Sequence, residues 1–191
     1  MTQQTLHTER LTLRPLSDDH LEHEVLLDAD PEVLRYLSLK PRTREEVERS
    51  HAFRLEQGRE VDGLGVWAGF LRAEPDRFVG IWMLQPPHGP SQPKVPGEAD
   101  IGYRLLRAFW RQGLAKEGSR ELMRYGFEDV GLKRIFAQTM AVNTPSRATM
   151  ASLGMTFVRS FHEDFDEPIE GRDQGEVEYD MTRAAWDVMA R

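Results

Sequence analysis

The chain has 191 residues, a formal net charge of −7 and no cysteine, which removes disulfides, thiolate metal sites and a cysteine nucleophile. The acidic balance argues against general nucleic-acid binding, which needs a basic face to displace counterions. With no apolar run near the ~18 residues of a membrane span and no targeting signature at the start, the expectation is a soluble, cytoplasmic protein forming one domain over residues 1–191, without a nucleic-acid or membrane partner.

Leu11-Thr-Leu-Arg-Pro-Leu16 alternates and reads as a first strand. Ser17 offers a helix cap ahead of Asp18 and Asp19, and Leu21, Val25 and Leu26 continue at helical spacing. Pro31 opens a short helix carrying Val33, Leu34 and Leu37, and Thr43-Arg-Glu-Glu46 is a capping box for a helix to about Gln57. Residues 65–71 and 78–84 read as two hairpin strands, and residues 86–97, with five prolines, as a loop. The next strand, 99–106, sets Ile101, Tyr103 and Leu105 against Asp100, Gly102 and Arg104. A helix then runs from about Gly113 to Phe127, and a central strand from Arg134. Thr144 can cap the following helix, with Pro145 at its first position and Gly154 at its end. Two last strands, 157–161 and 176–181, flank an acidic loop, and Thr182 can open a terminal helix.

The junction after residue 106 carries the most chemistry. Periodicity fails over Arg107-Ala-Phe-Trp-Arg-Gln-Gly113, and a helical pattern of Leu114, Gly118, Leu122 and Tyr125 follows. A helix starting at a Gly-containing turn exposes its first N–H groups at the positive end of its dipole. Gly113 and Ala115 keep that turn bare, while Arg107, Arg111, Lys116 and Arg120 concentrate positive charge in an acidic chain. Two readings stand at this point: a phosphate or pyrophosphate site, or an ordinary strand-to-helix turn with solvated arginines.

Arg111-Gln-Gly-Leu-Ala115 resembles the acyl-CoA-binding signature of the GNAT acetyltransferases, in which Arg or Gln precedes Gly-x-Gly/Ala. Asp100-Ile-Gly-Tyr-Arg-Leu105, Phe109-Trp110, the opening Thr8-Glu-Arg-Leu-Thr-Leu-Arg-Pro-Leu16 and Asp30-Pro-Glu-Val-Leu-Arg-Tyr-Leu37 are similar to the RimJ/RimL-type branch. Asn143-Thr-Pro-Ser146 with Leu153-Gly-Met-Thr-Phe157 is similar to the family element that lines the pantetheine arm, although the family more often has Gly-Phe where this chain has Gly154-Met155. The resemblance implies an α/β (α+β) GNAT fold: a mixed, mostly antiparallel sheet of about six to seven strands, splayed at a bulge after Leu106 and flanked by helices. It further implies an N-acetyltransferase with acetyl-CoA as cosubstrate and no metal, a protein N-terminal or small-molecule amine as acceptor, and a homodimer as in relatives. The implied binding residues are Arg111, Gln112, Gly113, Leu114, Ala115 and Lys116 at the helix start, Leu105 and Leu106 on the strand, and Asn143 and Ser146.

Acetyl transfer from a thioester to an amine needs a base for the ammonium, a proton for the leaving thiolate and, above all, positioning. Asp100 matches the glutamate base of some relatives; its alternative is an edge carboxylate without a catalytic role. Glu98 and a water are the competing bases. Ser146 matches a serine placed near the thioester sulfur, or it serves only its helix; the tyrosine many relatives use is missing from Arg147 to Leu153. His162 beside Glu163 and Asp164 reads as a surface residue. Trp67, Trp82 and Phe70 read as core before acceptor pocket, and Glu163–Glu178 as a solvated loop before a cation-attracting one. A non-catalytic acyl-CoA sensor is the rival function; a P-loop protein lacks its Gly-x-x-x-x-Gly-Lys-Ser/Thr.

Overall fold

The computed structural model describes residues 2–38, 40–92, 94–163 and 171–189. The strands are β1 (Leu6–His7), β2 (Leu11–Pro15), β3 (Gly65–Leu71), β4 (Phe78–Gln85), β5 (Glu98–Leu105), β6 (Arg134–Met140), β7 (Thr156–Phe161) and β8 (Glu176–Thr182). They form one sheet in the order β1-β2-β3-β4-β5-β6-β8-β7, antiparallel throughout except for β5 beside β6. Eight strands exceed the six to seven expected because β1 is a two-residue strand, too short to show a period.

The helices are α1 (Leu21–Asp28), α2 (Pro31–Leu34), α3 (Arg44–Glu60), α4 (Leu114–Arg124), α5 (Thr144–Ser152) and α6 (Arg183–Met189). Alternation along β3 and β4 splits the core in two. Trp67, Trp82, Leu84, Leu122, Ile135 and Trp186 pack on the face covered by α4 and α6, while Val66, Phe70 and Ile81 pack with Leu27 of α1 on the other. Gly118 lets α4 approach closely: a Cβ there would lie 2.5 Å from the Trp82 indole. The Thr43 capping box forms, with Glu46 accepting from Thr43 N at 2.7 Å. No helix among the described residues is long and apolar enough to cross a membrane.

Helix α1 departs from its expected apolar stripe. It leaves Leu26 55% exposed and buries Glu24 and Asp28 completely. Those carboxylates are retained because hydrogen-bonding and cationic partners meet them: His51 Nδ1 lies 2.5 Å from Glu24, Arg54 also binds Glu24, and Arg104 of β5 binds Asp28.

The sheet opens where β5 meets β6. Their parallel ladder has three rungs, Glu98↔Arg134, Ala99↔Ile135 and Asp100↔Phe136. Beyond them β5 keeps its register with β4 as far as Leu105 and β6 keeps its register with β8 as far as Met140. The opening therefore begins after Asp100, not at a bulge after Leu106. Each strand follows its antiparallel partner, and the weaker parallel ladder is the one that yields.

Candidate active site

The turn between β5 and α4 forms a cradle of free backbone donors ringed by cations. After Leu105 the chain makes a short 3₁₀ turn, Arg107–Phe109. Arg111 then adopts φ 59° and Gly113 φ 79°, two left-handed residues a dipeptide apart. The first i→i−4 bond of α4 is from Glu117 N to Gly113 O at 3.0 Å, so the N–H groups of Leu114, Ala115 and Lys116 precede the helical bonding and project from its N-terminus. Arg111, Lys116 and Arg120 are exposed around it, and Arg107 pairs with Asp30 at 2.7 Å. The cradle is braced from behind. Glu117 accepts from Thr8 Oγ1 at 2.6 Å and from Arg10 N at 2.8 Å, and Arg10 Nη1 donates to Gln112 O at 2.9 Å.

The opening leads from this cradle towards Asp100. Leu106 N donates to Val79 O at 3.0 Å; because antiparallel bonding alternates, the peptide groups of Leu105 and Tyr103 point away from β4, towards the opening. The Leu105 carbonyl already accepts from Trp110 Nε1 at 2.7 Å. The Leu105 N–H and the Tyr103 peptide groups therefore face the gap, while the Leu106 N–H is turned towards β4. On the far side, Asn143 rather than Thr144 caps α5, accepting from Ser146 N at 3.3 Å while its Nδ2 donates to Thr139 Oγ1 at 3.0 Å. Pro145 consequently stands one position further into the helix. Tyr103 OH donates to Ser146 Oγ at 3.4 Å and bridges the opening.

At the apex, Asp100 sits on the last rung of the ladder, half-buried. Burial raises its carboxyl from 3.8 to about 6, against the lowering effect of a hydrogen bond from Gln92 Nε2 at 3.0 Å. Beside it lies a cavity of about 230 Å³ lined by Gln92, Glu98, Phe136, Gln138, Arg159 and Glu178. Its polar walls are crosslinked: Arg134 binds Glu98 at 2.9 Å, Glu178 at 2.5 Å and Asp180 at 2.7 Å, and Arg159 binds Glu178 at 2.8 Å.

Residues 10–156, which span the opened sheet and the helix-start cradle, match the family model of an acetyltransferase (GNAT) domain. The chain belongs to the GNAT acetyltransferases. It is 41% identical over 187 residues to the FsC-acetyl coenzyme A-N(2)-transacetylase of Aspergillus fumigatus, covering 96% of this chain and 78% of that protein. Among solved structures, RimL, a ribosomal alpha-N-protein acetyltransferase in complex with coenzyme A, superposes with TM-score 0.72 at 18% identity over 93% of this chain and 97% of that one. Spermidine N-acetyltransferase of Vibrio cholerae, in complex with CoA and spermine, gives 0.74 at 16% identity, covering 92% and 97%.

As a GNAT acetyltransferase the protein uses acetyl-CoA as cosubstrate. The residues present fit it, since the cradle offers unpaired backbone donors to an anion and the opening offers strand edges to an extended arm. Of the other residues singled out in the sequence, Glu98 is committed to Arg134. His162 is exposed beyond β7, next to Gly175. Trp67, Trp82 and Phe70 are core. Asp164 lies outside the described residues together with residues 165–170 of the acidic stretch, while Glu178 of that stretch lines the cavity. Two residues at the site carried no signal of their own: Tyr103, readable only as one member of an alternating strand, and Gln92, from the proline-rich loop.

Proposed function

We propose that this acetyltransferase transfers the acetyl group of acetyl-CoA to a primary amine of a small molecule, the N(2) amine of FsC or a chemically close acceptor, with Asp100 as base and Ser146 as proton donor. The observation that carries the reading is Asp100 on the last β5–β6 rung, where the sheet opens, with a carboxyl raised to about 6. A base of that strength is ionised at neutral pH yet able to hold a proton taken from an ammonium ion. Acetyl-CoA supplies the activated acyl group. The cradle N–H groups at Gly113–Lys116 hold its diphosphate, the Leu105 N–H and Tyr103 peptide groups align its arm, and Ser146 Oγ, held by Tyr103 OH, donates to the departing sulfur.

The acceptor assignment is supported by the Aspergillus relative, whose match spans nearly the whole chain. A RimJ/RimL-type branch is supported by the motif resemblance and, at the level of fold alone, by RimL. A cytoplasmic homodimer is the setting we assign; β7 offers a face for it, with Phe157 54% and Val158 43% exposed at the sheet edge.

The test is thiol release from acetyl-CoA by the purified protein with FsC, spermidine and N-terminal peptides as acceptors, products identified by mass spectrometry. Turnover with FsC above the others is expected. Preference for peptides would transfer the assignment to protein N-termini, and acetyl-CoA binding without turnover on any acceptor would favour the sensor reading.

A further inference from the structure

The loop of residues 86–97 is read from sequence only as a proline-rich connection, yet one of its side chains reaches the apex of the opening. Gln92 is buried. Its carbonyl oxygen accepts from His88 N at 3.0 Å and from Gly89 N at 3.1 Å. Two backbone donors on the oxygen fix which end of the amide is which, so the Nε2 end faces inward. There it donates to Asp100 Oδ2 at 3.0 Å and to Gln138 Oε1 at 2.9 Å. Gln138 in turn donates from Nε2 to Glu178 Oε2 at 3.0 Å, which fixes its own orientation and aims its oxygen at Gln92. Every polar atom of the Gln92 amide is thus engaged, and its two protons are divided between the carboxylate and β6.

We propose that Gln92 is a positioning residue for Asp100: through the two loop amides that lock its carbonyl, it holds Oδ2 and leaves Oδ1 as the oxygen that takes the proton from the acceptor amine. The proposal rests on the assignment of Asp100 as the base. The loop thereby becomes part of the catalytic apparatus, because a displaced Gln92 leaves the buried carboxylate without its donor. A hydrogen bond to the ionised form favours that form, whereas burial disfavours it. Gln92 therefore keeps Asp100 ionised at neutral pH against its surroundings. The titratable groups around Asp100 are His88 of the same loop and Glu178 of β8, with Glu98 of β5, Arg134 of β6 and Arg159 of β7 lining the adjoining cavity. Glu98 and Glu178 are paired with Arg134 and Arg159 there, so Gln92 supplies the direct neutral donor.

The experiment uses the full chain with Gln92→Met, which keeps length and volume but not the donors, and Gln92→Glu, which sets a second carboxylate against the first. Asp100 is titrated by carboxyl carbon NMR, its resonance assigned with Asp100→Asn, and the pH dependence of kcat/KM is measured beside it. The expected result is an Asp100 midpoint about one pH unit higher in Gln92→Met and higher still in Gln92→Glu, with the acid limb of kcat/KM moving by the same amount. A loop that merely fills space would depress the rate at every pH and leave the midpoint in place; that result overturns the proposal. The two assignments fail separately. If Asp100→Asn retains the acid limb and the rate, Asp100 is not the base, whatever Gln92 does to its midpoint; if Asp100→Asn abolishes the limb and Gln92→Met leaves it unmoved, only the role of Gln92 is lost.

Discussion

Tyr103 OH and Ser146 Oγ lie 3.4 Å apart across the opening of the sheet, the one on β5 and the other in the first turn of α5. The Ser146 hydroxyl is therefore oriented by a phenol from the facing strand, while the helix stretch Arg147–Leu153 carries no tyrosine of its own. Ser146→Ala should lower kcat by about 10- to 100-fold, within the range of a positioned proton donor, and leave acetyl-CoA affinity nearly unchanged. Tyr103→Phe should cost less, and the double variant should cost little more than Ser146→Ala, because the phenol acts through the serine. Additive losses in steady-state kinetics would contradict that order of action.

Asp100 joins activity to stability with opposite signs. Asp100→Asn should reduce kcat/KM by about 10²- to 10⁴-fold. The rise of its carboxyl from 3.8 to about 6 on folding means that the folded state holds the proton more tightly than the unfolded chain. The group's favourable contribution is complete below pH 3.8 and is lost as pH rises through about 6. Above pH 6 the ionised carboxylate is a cost of at most about 3 kcal/mol, which the neutral amide relieves. Thermal melting at pH 8 should show Asp100→Asn more stable than wild type, and at pH 4 the difference should shrink; a variant destabilised at pH 8 would show that the carboxylate is not held at a cost there.

Gly113 combines a backbone need with a ligand need. Its φ of 79° costs a side-chain-bearing residue about 1 kcal/mol or more, and among the described residues a Cβ there meets only Arg10 Nη2 at 3.5 Å. The fold should therefore survive substitution. Gly113→Ala should lower stability by about 1 kcal/mol with modest loss of acetyl-CoA affinity, whereas Gly113→Glu, which brings a negative charge to the donors, should weaken binding at least about 100-fold. Calorimetric titration decides it: unchanged affinity in a folded Gly113→Glu protein would remove the cradle from the binding site.

The elements that were legible in the sequence are those with a period or a cap. Ile101, Tyr103 and Leu105 announce β5 by alternation, Thr43 and Glu46 announce α3 by a capping box, and Gly113 announces the turn by the conformation only glycine adopts freely. The opening after Asp100 was misplaced because its cause lies in which neighbours β5 and β6 keep, a property of topology and not of local residues. Gln92 was invisible because its loop has no periodicity and its role depends on amides at His88 and Gly89. Glu24 and Asp28 carry no sequence signal of burial, because their partners, Arg54 and Arg104, come from distant segments.

Those two buried carboxylates support the last prediction. Asp28 is fully buried and meets Arg104, itself buried, with Arg42 at 3.6 Å on its other oxygen. Burial lowers the Arg104 guanidinium to about 10, with Asp28 opposing that fall, so Arg104 stays charged at neutral pH and needs its counter-ion. Asp28→Asn should cost about 3–5 kcal/mol, the usual penalty for stranding a buried charge. Replacing both partners, Asp28→Leu with Arg104→Met, removes the stranded charge, so chemical denaturation should place the double variant well above either single one. Arg104 lies four residues along β5 from Asp100, on the same face, and the double variant should also retain acetyl-CoA binding, since the cradle and the β5–β6 opening do not depend on the pair. A double variant as unstable as the worse single would show that the pair contributes more than mutual neutralisation, and that α1 is seated on β5 by its ionic geometry.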